Sequence, residues 1–106
     1  MNVPVFVFFR MRQTEAWYQL SKAEQDTLSA NVENTMIRFG GKMTLLCHSS
    51  WSDERWDAFG VVEFPDVESV RQHNIALHEL NWFRYIDSET MLGTPFPEQS
   101  LDGTDA

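Results

Sequence analysis

The sequence predicts an α+β domain: one antiparallel sheet with two helices on one face. Three observations predict it. The chain opens on an apolar strand. Its segments follow the order strand, helix, strand, strand, helix, strand. Both long helical segments begin at recognisable caps. A length of 106 residues suits one domain around one core.

The opening strand reads Val3-Pro4-Val5-Phe6-Val7-Phe8-Phe9-Arg10-Met11-Arg12. Side chains alternate across a strand, so Val3, Val5, Val7, Phe9 and Met11 share one face, and Phe6 and Phe8 take the other. A sheet with one wet face shows polar residues at every second place. Here both faces call for cover. The chain's own helices supply one cover; a partner subunit or a bound ligand supplies the other. A homodimer is therefore expected.

Residues 14–20 form a short helical turn. Ser21-Lys22-Ala23-Glu24 is a capping box, in which the serine oxygen takes the N3 amide and the glutamate reaches back. Leu28, Val32, Thr35 and Phe39 follow at helical spacing, which gives a helix over 22–39. Gly40-Gly41 stops it by supplying positive φ. A second strand runs over 42–50, with Met43, Leu45 and Cys47 on one face and Thr44, Leu46 and His48 on the other. The polar segment 49–55 is a loop. A third strand spans 56–64, where Gly60 marks a bulge or a close backbone approach. Pro65 ends it, and Asp66 caps a helix over 67–80. The last strand starts at Trp82. The domain covers 1–95, and 96–106 is a C-terminal tail without periodicity. This βαββαβ order is the ferredoxin-like unit, whose sheet keeps one face open for a second subunit.

Composition narrows the function. The net charge is −8 and the pI about 4.6, which argues against nucleic acid and anionic membrane surfaces. No segment has the length of a membrane span or a signal h-region, so a cytoplasmic protein is expected. Cys47 is the single cysteine, so no intramolecular disulfide forms. His48, His73 and His78 lack the close spacing of a metal pair, and no metal is expected. No glycine-rich phosphate loop, nucleophile elbow or His-Glu-x-x-His motif is present.

The second helix is the best place for chemistry. Val70, Leu77 and Leu80 define its buried side. His73 projects almost into that stripe, Asn74 lies on its other edge and His78 on the flank. A buried imidazole needs a hydrogen-bond partner or a polar cavity. The plain reading is a satisfied core His73 and a surface His78. The sharper one makes His73 a general base facing a cavity, with Asn74 and His78 near the reacting oxygen. Trp17, Trp51, Trp56 and Trp82 are many for so short a chain. Trp51, Trp56 and Trp17, with His48 at a strand end and Arg10, are the candidates for binding a flat aromatic substrate. Each has a plain alternative as packing, surface or ion-pair residue.

The element order resembles the dimeric α+β barrel superfamily. Phe64-Pro65-Asp66-Val67-Glu68-Ser69-Val70, followed by Trp82-Phe83-Arg84-Tyr85-Ile86-Asp87, looks like its passage from helix two to strand four. More narrowly, Val7-Phe8-Phe9-Arg10-Met11-Arg12 with Trp17 and Ser21-Lys22-Ala23-Glu24 resembles the darcynin-like proteins, and the similarity covers about residues 3–95. That resemblance implies a cofactor-independent monooxygenase of indole degradation. Its substrate would be 3-hydroxyindolin-2-one, which a base converts to an enolate that reacts with O2 to give anthranilate. No cofactor is then expected. The resemblance carries no catalytic residue onto a numbered position. Two alternatives stand beside it. One is haem binding or degradation on the same fold, with His73 or His78 on the iron. The other is a non-enzymatic dimer that binds a small aromatic ligand.

Overall fold

The computed structural model describes residues 3–97. The expected tail therefore lies mostly outside the described residues. The elements are β1 (Val5–Gln13), α1 (Glu15–Tyr18), α2 (Lys22–Arg38), β2 (Lys42–His48), β3 (Ala58–Phe64), α3 (Val67–Glu79), α4 (Trp82–Tyr85) and β4 (Ile86–Gly93). The sheet order is β2-β3-β1-β4, and every neighbouring pair is antiparallel. This is the ferredoxin-like α+β fold.

The local signals act as read. Ser21 Oγ accepts from the Glu24 amide at 3.1 Å, and the Glu24 carboxylate accepts from the Ser21 amide at 2.8 Å. Gly40 adopts φ +82° beyond the end of α2. Asp66 caps α3 by accepting from the Ser69 amide at 2.8 Å.

The core lies between the sheet and the two long helices. Val5, Val62, Phe64 and Val70 are buried, with Val7, Phe9, Met36 and Phe39 packed against them. Burying each large apolar side chain contributes about 1.5–3 kcal/mol. Gly60 is a close approach, not a bulge. A Cβ there would lie 2.5 Å from the Leu45 carbonyl oxygen and 2.9 Å from the Phe9 ring. The bulge falls on β2 instead. Met43 pairs with Val62 and Leu45 with Val61, so Thr44 is the extra residue. Leu46 and His48 then pair with Gly60 and Ala58 and share the helix-side face with them.

The last strand starts later than expected. Asn81 takes φ 57°, which ends α3 and starts a fresh helical turn over Trp82–Tyr85. Tertiary contacts fix that turn. The Trp82 ring meets Trp17 edge-on at 6.3 Å. The Thr14 amide donates to the Tyr85 carbonyl at 3.0 Å, and the Thr14 hydroxyl donates to the Arg84 carbonyl at 2.8 Å.

The other sheet face carries Phe6, Phe8, Phe59 and Val61, all half-buried, beside exposed Leu45 and Met91. The Phe8 and Phe59 rings lie 6.4 Å apart. Such an apolar face suits a second sheet. Sedimentation is expected to give twice 12.4 kDa, and Phe8→Lys to shift it toward the monomer; a wild-type monomer at micromolar concentration contradicts the expectation. Gly60→Ala is expected to cost about 1–3 kcal/mol in urea unfolding, because the new methyl meets backbone; an unchanged midpoint contradicts the close-approach reading.

Candidate functional site

A cleft of about 500 Å³ opens at one end of the sheet. That volume lies in the range of small-molecule sites, about 300–1,000 Å³. Met11 and Gln13 of β1, Leu46, Cys47 and His48 of β2, and Asp57 and Ala58 at the start of β3 line it, with Ser50 at the loop. Trp17 and Tyr18 of α1 complete the lining.

The sheet register builds this cleft. His48 pairs with Ala58, and Ala58 with Met11. The three share one row and one face, and only a methyl group stands between an imidazole and a thioether. Gly60 continues the low floor in the next row on that face. Small residues at alternate positions of a strand thus leave a trough between taller neighbours. Trp17 is held above it by the edge-on contact with Trp82 and by Gln25, whose side-chain amide donates to the Trp17 carbonyl at 3.1 Å.

The loop after β2 is a knot of hydrogen bonds that fixes His48. Ser49 is buried, donates its hydroxyl to the Trp56 carbonyl at 2.8 Å, and donates its amide to the Asp57 carbonyl at 2.9 Å. The Trp51 indole N–H donates to the His48 carbonyl at 3.0 Å. Asp53 accepts from the Arg55 and Trp56 amides at 2.7 and 2.8 Å. Those amides, that of Trp56 first, hold its carboxyl below the usual carboxylate range. The Ser50 hydroxyl bonds to His48 Nε2 at 2.5 Å. Asp57 is engaged as well, accepting from the Gln13 amide at 3.0 Å.

The expected site residues do not converge on one place. His48 and Trp17 line the cleft. Trp51 is 80% exposed and serves the loop through its indole N–H. Trp56 is only 8% exposed, with the guanidiniums of Arg10, Arg12 and Arg55 between 5.1 and 5.9 Å from its ring. Arg10 pairs with Glu89, its Nε donating at 2.9 Å, and Arg12 pairs with Asp87 at 3.1 Å. These pairs lie on the open sheet face, away from the cleft.

His73, Asn74 and His78 stand apart from the cleft. The His73 ring lies 5.0 Å from that of Phe64, at the Val5–Phe64 end of the sheet. The Ala58–Met11 row is six residues further along β1, about 20 Å at strand spacing. Helical periodicity did put His73 on the inner side of α3, where it is half-buried. Asn74 is exposed and bonds to His73. His78 is exposed too, with its ring 4.7 Å from Phe83. Cleft residues Met11, Gln13, Tyr18, Leu46, Asp57 and Ala58 escaped the sequence reading. The alternation of Ala58 and Gly60 on one face of β3 was the available signal.

Among the described residues no cluster of His, Cys, Asp or Glu is arranged to hold a metal ion. No helix there is long and apolar enough to cross a membrane.

No protein-family model matches the chain, and no curated protein matches it. Solved structures do. A mutant chlorite dismutase from Candidatus Nitrospira defluvii matches with a TM-score of 0.72 at 12% identity, over 97% of this chain and 44% of that one. The imidazole complex of the same enzyme matches with a TM-score of 0.73 at 20% identity, over 92% and 42%. A protein of unknown function from Rhodopseudomonas palustris matches with a TM-score of 0.65 at 18% identity, over 91% and 85%. The chain spans less than half the length of the chlorite dismutase chains. At these identities the likeness establishes the fold alone, the ferredoxin-like α+β fold. None of these matches points to darcynin-like proteins or to an indolic oxygenase.

Burial pushes the His73 pKa below its ordinary value of 6.5, with the bond to Asn74 opposing it. The unfolded imidazole takes up its proton at higher pH than the folded one. Stability is therefore full above about pH 6.5 and falls as pH drops toward the folded pKa. Between pH 7 and 5, the melting temperature of wild type is expected to fall more than that of His73→Leu. Parallel curves over that range would contradict the burial argument.

Proposed function

We propose that this chain is a haem-binding α+β barrel protein and that the cleft beside His48 receives the porphyrin. The observation that carries the proposal is an imidazole at the rim of a largely apolar cleft, on a fold shared with chlorite dismutases. Chlorite dismutase structures that match the chain include complexes with cyanide and with imidazole, both ligands that metal centres accept.

The residues suit the group on three counts. Imidazole nitrogen and thioether sulfur, from His48 and Met11, are donors that haem iron takes. Trp17, Tyr18 and Leu46 offer the flat apolar walls a porphyrin needs. The cleft is open to solvent on one side, where carboxylates can remain hydrated. Its lining includes no Lys or Arg, so propionates fit at that mouth and not against the Asp57 carboxylate. Bound iron would supply redox and small-anion chemistry. The chain's part is to hold the ring plane, limit water at the apolar walls and present one imidazole.

Haemin titrated into the 106-residue chain at low micromolar concentration is expected to give a shifted, sharpened Soret band that saturates at one haem per chain. Cyanide should shift it again. A spectrum that stays that of free haemin throughout would remove the proposal.

A further inference from the structure

We infer that His48, on strand β2, is the iron ligand, in place of His73 or His78 of helix α3. The inference rests on the haem reading above. The chain has three histidines, and only His48 lines the cleft.

Packing disfavours the helix pair. His73 meets the ring of Phe64, which is 1% exposed and sits in the buried cluster with Val5, Val62 and Val70. A porphyrin at His73 would have to part the core that holds α3 to the sheet. His78 is exposed, and its ring leans on Phe83.

His48 has what a ligand residue needs. Its backbone is fixed on two sides, by the pairing with Ala58 and by the Trp51 indole on its carbonyl. One ring nitrogen bonds to the Ser50 hydroxyl. The other has no partner among the described residues. A hydrogen bond on one ring nitrogen is the usual way a ligating imidazole is oriented. Ring nitrogens are interchanged by a flip, so either can be the free one. The low floor at Ala58 leaves room beside the ring. Cys47 is the other strong donor on β2. It borders the cleft, but it pairs with Phe59, and that register turns its side chain to the opposite sheet face.

The test compares haem complexes of wild type, His48→Gln, His73→Gln, His78→Gln, Cys47→Ala and Ala58→Leu, each checked for folding by circular dichroism. The readouts are haem affinity and the iron–histidine stretch in resonance Raman spectra of the ferrous form. His48→Gln is expected to lose that stretch and to weaken haem binding by on the order of tenfold or more, with added imidazole restoring the wild-type spectrum. Ala58→Leu keeps His48 but fills the floor, and should weaken binding as well. His73→Gln and His78→Gln should keep both the stretch and the affinity, and Cys47→Ala should keep the stretch. Retention of the stretch in His48→Gln, or its loss in His73→Gln or His78→Gln, overturns the assignment alone. So does a thiolate-type wild-type spectrum that Cys47→Ala abolishes. A wild-type chain that binds no haem overturns the haem reading and this assignment together.

Discussion

Strand β1 is hydrogen-bonded along both edges and apolar on both faces, and the rest of the molecule is arranged around that fact. Its pairing with β3 and β4 leaves no backbone group of the central strand unpaired with a neighbour over most of its length. Its helix-side residues Val5, Val7 and Phe9 join the core under α2 and α3. Phe9 can lie flat against the sheet only because Gly60 has no side chain. The same economy of volume on β3, carried on by Ala58, opens the cleft one row further along. Tight packing at one end and open space at the other thus come from neighbouring rows of a single strand pair.

Polar groups divide between the two faces in a similar way. On the open face Arg10 and Arg12 are matched across to Glu89 and Asp87 and lie over Trp56. Exposed ion pairs of this kind contribute little to stability, about 0–1 kcal/mol. Covering the Trp56 ring with guanidinium planes removes aromatic area from water and sets the side chains in place. At the cleft, His48, Ser50 and Asp57 are each held by a named hydrogen bond.

Much of the architecture was legible in the sequence. The capping box at Ser21, the positive-φ stop at Gly40 and the Pro65-Asp66 junction are local signals, and local structure follows them. Two features were not legible, for a shared reason. The helical turn at Trp82–Tyr85 depends on Asn81 adopting a left-handed conformation and on contacts with Thr14 and Trp17, nearly seventy residues earlier. The position of His73 depends on where α3 lies along the sheet. Periodicity resolves which side of a helix faces inward, but not which end of the sheet lies beneath it. Part of the site follows the same rule. Trp17 and His48 were singled out, yet the residues between them come from the register of three strands.

The bulge on β2 has a consequence for how such a site can change by inheritance. Thr44 is the residue that the β2–β3 ladder skips, and its hydroxyl bonds to the Val61 carbonyl at 3.1 Å. Were Thr44 instead paired with Val61, an unbroken ladder from Met43 would set Leu46 opposite Phe59 and Cys47 opposite Ala58. The thiol would then occupy the trough, and the imidazole would leave that row. Deleting Thr44 makes no such exchange, because Leu45 would then follow Met43 directly and stay opposite Val61, with His48 still opposite Ala58. Descendants of this chain can therefore lose the bulge residue and keep the imidazole in its row, but cannot pair that residue without bringing the thiol there.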